Sequence, residues 1–353
     1  MKKILVISSQ IVGGCFIYAD KIISNLRSNV EIAMPENVYE VRNAKPDWTF
    51  KYSGCSTLAR MFSYLTLLFK VLFKGVSGKY DSLLLFGITK LDYYILRIWT
   101  LCKGKSFLVI HDGKMHMGEE NSAFARQSIK MMKLCTSIIF LSEYVRNLVV
   151  ANFGIDKPYI IAPHGLIDYG QIRTINYSRQ NDKPVLLFLG RISRYKGIEL
   201  LLEALEYVDK SLYKEVVIAG KWSYEIPEIA SELKITVIDK RLSDDEILTL
   251  ISSSDIMLFP YLEASQSGVA TLAINYLKPS IVTSVGAFKE QFCDNTAIFT
   301  EPYPRALASA ITELCSSQDL RESLINNLKL LKSRYSWERI AGNLEIAIRT
   351  SHG

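Results

Sequence analysis

Short apolar runs alternate with amphipathic stretches along the whole chain. In the first half, Ile4–Ser8, Val30–Ala33, Ser82–Phe86, Phe107–Ile110, Ser137–Leu141 and Tyr159–Ala162 read as buried strands. A second set follows: Val185–Leu189, Glu215–Ala219, Ile235–Ile238, Ile256–Phe259, Ser280–Thr283 and Ala297–Phe299. Between strands, apolar residues recur at helical spacing, as in Phe16–Leu26 and in Ile198, Leu201, Leu202, Leu205 and Val208. Trp337–Arg349 is amphipathic through Ile340, Leu344 and Ile348. Strand–helix alternation in both halves predicts α/β architecture with parallel sheets. The polar stretch Asp168–Lys183 separates the sets and reads as a linker. The expected order is a first domain over 1–167, a linker over 168–183, a second domain over 184–335 and a terminal helix over 336–353.

Two segments carry candidate chemistry. Phe259-Pro-Tyr-Leu-Glu263-Ala-Ser-Gln-Ser-Gly268-Val-Ala-Thr271 runs from an apolar strand through a polar turn into a helix start. A helix N-terminus presents unpaired N–H groups and the positive end of its dipole, which suits phosphate. Glu263 repels phosphate but suits hydroxyl groups such as those of a sugar. Alone, the segment is equally a strand–turn–helix with a surface Glu. The second segment, Val185-Leu-Leu-Phe-Leu-Gly190-Arg191-Ile-Ser-Arg194-Tyr-Lys196-Gly197, is an apolar strand ending in Gly, then three cations within six residues. Arg offers phosphate a planar fork and Lys a mobile point charge. At the carboxyl end of a parallel strand they form a pyrophosphate clamp; the alternative is a solvated basic loop.

Together these segments resemble the family 4 glycosyltransferases of the GT-B fold, best over about residues 184–300. The resemblance implies two Rossmann-like domains facing across a cleft, with the C-terminal helix crossing back to the first. It also implies retaining transfer of a sugar from a nucleotide-diphosphate donor, UDP- or GDP-linked, with no metal and no cofactor. The acceptor would be a glycan or lipid-linked glycan, as in bacterial surface polysaccharide assembly. Glu263 matches the first half of that family's E-x7-E motif. Where the second Glu contacts the nucleotide ribose, this chain has Thr271. The resemblance further implies that Arg191, Lys196 and the N–H groups around Ser267, Gly268 and Val269 stabilise the leaving phosphate. Glu263 would orient the sugar ring. Gly13-Gly14, after the first strand, lets backbone approach a ligand, although a plain tight turn needs the same residues. His111 ends the fourth strand; its family counterpart lies near the donor's anomeric carbon, and the alternative is a histidine bonded to backbone. His164 is assigned no chemistry.

Composition narrows the classes. With 353 residues and 49% hydrophobic, the chain exceeds the usual single-domain size. No run of eighteen uncharged apolar residues predicts a transmembrane helix. The opening apolar run is short, lacks a cleavage pattern and reads as a first strand. Six scattered cysteines without C-x-x-C spacing read as buried thiols of a cytoplasmic protein. The net charge is +6, but residues 1–165 hold 21 Lys+Arg against 12 Asp+Glu, whereas the remainder hold 21 against 24. That asymmetry points to an anionic partner on the first half. No nucleic-acid-binding motif occurs. Leu58–Phe73 and Leu91–Lys105 combine aromatic and aliphatic bulk with Lys and Arg. The pattern favours peripheral contact with the inner face of the plasma membrane over two core helices.

Other classes fit less well. Gly13-Gly14 lacks the G-x-G-x-x-G of dinucleotide enzymes. No carboxylate pair of glycosidase type is recognisable. A non-catalytic nucleotide-sugar-binding protein and a GT-B-like epimerase remain as alternatives.

Overall fold

A computed structural model describes residues 2–27, 29–39, 42–113, 122–171 and 183–351, the side chains of 122–124 excepted. The expected linker lies mostly outside them. The chain forms two compact units, one running to Gly165 and resuming at Ser336, the other spanning Leu166–Tyr335.

The first unit contains β1 (Lys3–Ser8), α1 (Gly13–Asn25), β2 (Val30–Pro35), β3 (Trp48–Phe50), α2 (Thr57–Val76), β4 (Tyr80–Phe86), α3 (Lys90–Leu101), β5 (Lys105–Ile110), α4 (Ser122–Leu134), β6 (Ser137–Phe140), α5 (Glu143–Phe153) and β7 (Tyr159–Ile161). Its sheet has the order β3-β2-β1-β4-β5-β6-β7, every pair parallel. The second unit contains β8 (Val185–Leu189), α6 (Ile198–Glu206), β9 (Glu215–Ala219), β10 (Ile235–Ile238), α7 (Asp244–Ser253), β11 (Ile256–Phe259), α8 (Gly268–Asn275), β12 (Ser280–Thr283), α9 (Phe288–Phe292), β13 (Ile298–Thr300), α10 (Pro304–Ser316) and α11 (Gln318–Lys332). Its order is β10-β9-β8-β11-β12-β13, again all parallel. The last helix, α12 (Trp337–Thr350), belongs to the first unit and packs on α1.

Parallel strands are covered on both faces, so they read as continuous apolar runs rather than alternating ones. Leu83, Leu84 and Leu85 of β4 are wholly buried, as are Leu5, Val6 and Ile7 of β1. The strand order reverses direction beside β1 in one sheet and beside β8 in the other. Crevices outside the carboxyl ends of the strands at such switch points are where α/β folds bind ligands.

The two aromatic–basic stretches separate in the structure. The second was expected at a membrane interface, but α3 is a core helix. Its Trp99 is wholly buried, with the indole N–H donating to the Lys105 carbonyl at 2.8 Å. In contrast, α2 buries only Leu67 and Val71. Leu58, Met61, Phe62, Leu65, Phe69, Leu72, Phe73 and Val76 are all exposed on its other side.

Trp337 at the start of α12 meets the rings of His164 and Tyr18 at centroid distances of 5.1 and 5.9 Å. His164 is buried, donates from Nδ1 to the Gly165 carbonyl at 2.7 Å, and burial lowers its pKa from 6.5 to about 4. A histidine kept neutral in the fold takes up its proton on unfolding. Stability therefore falls as pH drops from about 6.5 to 4, by about 3 kcal/mol, and is unaffected by this group above that window. Urea unfolding from pH 7 to 4 should show this slope, and His164→Gln should flatten it. An unchanged slope would mean that other groups cause the acid loss.

Candidate functional site

In the second unit, β8 and β11 are neighbours, so the loops leaving their carboxyl ends meet. After β8 the chain turns at Gly190 (φ +112°), where a Cβ would lie 2.9 Å from Val269 Cγ2 and 3.4 Å from Lys196 Nζ. Only glycine fits both the conformation and the space. At Gly197 (φ +69°) a Cβ would lie 2.0 Å from the Pro260 carbonyl oxygen. The Leu262 N–H donates to the Tyr195 carbonyl at 2.7 Å. The basic loop after β8 is thus docked by backbone onto the turn that carries Glu263.

Lys196 is 7% exposed. Its ammonium donates to the Tyr261 hydroxyl at 3.0 Å and lies 4.9 Å from the centroid of that ring. Burial raises the Tyr261 pKa far above that of an ordinary phenol, so the residue stays neutral. A neutral aromatic partner holds the ammonium in place without itself neutralising the charge. Arg191 is exposed and hydrogen-bonded to Tyr195, whereas Arg194 stacks at 4.9 Å on Tyr224. Glu263 is half-buried in the turn before α8.

Helix α8 begins at Gly268 because Ser267 caps it, accepting from the Ala270 N–H at 3.3 Å. Gly268 and Val269 have no hydrogen-bond partner for their N–H groups among the described residues. Ser267 was expected to offer an N–H as well. That group instead donates to Gln291 Oε1 at 3.0 Å, and Gln291 Nε2 returns a bond to the Ser267 carbonyl. The buried Oγ of Ser193 and Nε2 of Gln266 have no partner among the described residues. Buried polar groups are normally paired, so these two atoms, one on each loop, are candidates for contact with a polar ligand.

Thr271 is a correction. It was expected to stand where a ribose would bind, yet it is wholly buried. Its hydroxyl donates to the Gly268 carbonyl at 2.7 Å and accepts from the Ile167 N–H at 3.3 Å. Asn275 Nδ2 adds a bond to the Ile167 carbonyl at 3.0 Å, and Tyr276 receives the Tyr169 N–H at 2.8 Å. The hydroxyl fixes the segment after Leu166 to α8 rather than facing a ligand.

In the first unit, Gly14 is exposed at the start of α1, and a Cβ there would meet nothing within 4 Å. His111 leaves the end of β5, with its ring edge-on to Tyr18 at 5.1 Å. Cys15, in the first turn of α1, bears on its titration. Burial lowers the His111 pKa, but the charge and hydrogen bond of Cys15, with Asp112, outweigh it, so the net shift is upward. Sequence reasoning read Cys15 as a buried thiol, whereas it is partly exposed. It also passed over Tyr261, which no spacing rule links to Lys196. Among the described residues no three His, Cys, Asp or Glu gather as a metal would require.

Residues 174–330 match the model of the family described as "Glycosyl transferases group 1". An uncharacterised glycosyltransferase of Methanocaldococcus jannaschii is 28% identical over 179 residues, covering 47% of this chain and 46% of that protein. The chain spans about half the length of the curated relatives it matches. Among solved structures, HepE of Anabaena in complex with UDP aligns with TM-score 0.72 at 17% identity, over 99% of this chain and 100% of that one. Sucrose-phosphate synthase of Thermosynechococcus elongatus aligns with TM-score 0.70 at 16% identity, over 100% and 99%.

Thr271→Val keeps the shape and removes both hydrogen bonds, leaving the Ile167 N–H unsatisfied. We expect a loss of about 1–3 kcal/mol in urea unfolding. Nucleotide affinity should be unchanged; a selective loss of affinity without destabilisation would return Thr271 to the ligand. Residues 174–330 are thus similar to the glycosyl transferases group 1, and the fold of the chain is that of GT-B glycosyltransferases.

Proposed function

We propose that this protein is a retaining glycosyltransferase that moves a sugar from a nucleoside-diphosphate donor to a glycan or lipid-linked glycan. The observation that carries this reading is the convergence of Lys196, Gly190 and the unpartnered N–H groups of Gly268 and Val269 at the β8/β11 switch point. A buried ammonium and two helix N–H groups suit a diphosphate, and Glu263 beside them suits sugar hydroxyls. The family match over the same residues supports the activity. HepE, solved with UDP and with UDP-glucose, supports the donor class.

As the donor bond breaks, positive charge grows at the anomeric carbon and negative charge on the bridging and β-phosphate oxygens. Lys196, Arg191 and the α8 N–H groups stabilise that leaving group. Glu263 holds the ring by its hydroxyls, and His111 serves the sugar. The acceptor oxygen attacks from the departing side, and its proton passes to the leaving phosphate. This path requires neither a protein base nor a metal. The ribose hydroxyls gain no side-chain partner from Thr271. That favours, as a second reading, a binding protein without turnover.

Lys196→Ala should lower turnover by about 10²-fold or more, with a smaller loss of donor affinity. Lys196→Met, which keeps the aliphatic stem against Tyr261, should fail equally and guards against a folding artefact. Unchanged turnover in a folded variant would remove Lys196 from the mechanism. Melting shifts across UDP-, GDP-, ADP- and TDP-sugars identify the donor, because ligand at 100 Kd stabilises by about 2.7 kcal/mol. Binding without transfer or donor hydrolysis would establish the second reading.

The acceptor side of the proposal rests on α2. This 20-residue helix lacks acidic residues and exposes an apolar stripe flanked by Arg60 and Lys70. Lys74 is paired with Glu31 and contributes less. No described helix is long and apolar enough to cross a membrane. We assign the stripe to the interface of an anionic bilayer, where each Lys or Arg contributes about 1 kcal/mol. Two buried Phe or Leu side chains would add about 3 kcal/mol or more. Co-sedimentation with anionic vesicles should weaken but persist at high salt, and Phe62→Ser/Phe69→Ser should abolish it. Intact protein left in the supernatant at low salt would make a soluble acceptor the better assignment.

A further inference from the structure

Two cavities lie between β3 and α2, lined by none of the residues assigned above to sugar transfer. The first, of about 330 Å³, is bordered by Trp48, Lys51, Phe62, Ser63 and Lys70, and Glu36 also lines it. The second, of about 250 Å³, is bordered by Glu31, Trp48, Phe69, Lys70, Phe73 and Lys74. Trp48 and Lys70 are walls of both, so the cavities adjoin. Phe62, Phe69 and Phe73 are exposed members of the apolar stripe of α2, which therefore runs along both openings.

The groove is built around a fixed ring. The indole N–H of Trp48 donates to Glu31 Oε1 at 2.9 Å, and Glu31 also pairs with Lys74 and accepts from the Tyr80 hydroxyl. The charge of Lys74 is thus balanced inside the fold. Lys70 differs: its ammonium sits 4.8 Å from the centroid of the Trp48 ring. Among the described residues, neither Lys70 nor Lys51 has a carboxylate at ion-pair distance. The Lys51 backbone N–H donates to Ser63 Oγ at 2.8 Å, which ties the end of β3 to α2. Having accepted that bond, Ser63 keeps its own O–H for another acceptor. One cavity therefore offers two ammonium groups and a hydroxyl, and the other offers an indole and two phenyl rings.

We propose that this groove seats one anionic phospholipid, with its phosphate in the first cavity against Lys51, Lys70 and Ser63 and an acyl chain in the second against Trp48, Phe69 and Phe73. The proposal deepens the bilayer assignment of α2 and rests on it for the source of the lipid. A soluble phosphate would leave the rings of the second cavity in water. A neutral apolar partner would bury two ammonium groups without a counter-charge, which is costly. A phosphate carrying a chain satisfies both cavities, through charge-assisted hydrogen bonds in one and apolar burial in the other. Two cations and the carboxylate of Glu36 leave the first cavity one net positive charge. That matches a singly charged phosphodiester rather than a phosphomonoester, which carries close to two negative charges at neutral pH.

The test uses the full chain with dihexanoyl phosphatidylglycerol held below its micelle concentration, so that no membrane is present, and reads binding by titration calorimetry. Saturation at one lipid per chain is expected. Lys70→Gln and Lys51→Gln should each weaken it by about 10-fold or more, as loss of a charge-assisted hydrogen bond predicts. The deacylated head group, glycerophosphoglycerol, should bind about 10-fold or more weakly than the lipid, because it leaves the second cavity unfilled. Absence of saturable binding, unchanged affinity in both lysine variants, or equal affinity for dihexanoyl phosphatidylcholine overturns the proposal. Vesicle co-sedimentation without binding of the monomeric lipid leaves the bilayer assignment standing and removes the seat. Binding of the monomeric lipid by a chain that stays in the vesicle supernatant keeps the seat and overturns the bilayer assignment. Light scattering of the lipid-free chain tests the remaining occupant: a dimer that Phe62→Ser/Phe69→Ser converts to monomer would show a second copy covering the groove and overturn the proposal.

Discussion

Parallel pairing of every described strand is the constraint on which the rest depends. Two parallel neighbours cannot be joined by a tight hairpin, so each return crosses a face of the sheet, usually as a helix. Within each unit, all strand carboxyl ends therefore lie on one edge, and the following helices begin there. Residues as distant in sequence as Gly190 and Val269 become neighbours because β8 and β11 are paired, not because any local signal joins them. The chemistry of this chain is consequently carried by loops on a rigid edge, where a substitution in a loop leaves the sheet intact.

Within that edge, the basic loop is positioned by main chain rather than by side chains. Gly197 allows close contact with the Pro260 carbonyl, and Leu262 bonds back to Tyr195, so the two loops hold each other before any ligand is present. Lys196 is then pinned over Tyr261, a neutral partner that orients the charge without cancelling it. A freely rotating lysine would lose up to about 2 kcal/mol of rotamer entropy on engaging a phosphate. Here much of that ordering is already present. Preorganised charge of this kind acts most strongly where charge develops during a reaction.

The strand pattern was legible because buried parallel strands are the simplest apolar signal. Twelve strands fell within two residues of their expected bounds at either end. Among the described strands only β3, Trp48–Phe50, escaped: three residues inside a polar stretch, of which Phe50 alone is buried, pair at the sheet edge through β2 alone. Helix α3 deceived for a different reason. Tyr94, Arg97 and Trp99 share a composition with interfacial helices, but composition does not say which face turns inward, and Trp99 turns to the core. Position 271 shows the limit of motif alignment. Spacing places Thr271 on the right helix, yet a short hydroxyl reaches only the neighbouring Gly268 carbonyl and Ile167 amide. A longer carboxylate would be needed to leave the helix surface.

The same local device appears in both units: a parallel strand, a glycine-bearing turn and a helix N-terminus in need of negative charge. The two units differ in how far that need is met. In the second, Ser267 caps one N–H, while those of Gly268 and Val269, beside Lys196, have no partner among the described residues. In the first, α1 has no capping side chain and no acidic residue in its first turn. Glu263 and Lys196 lie together with the Gly268 and Val269 N–H groups in the second unit.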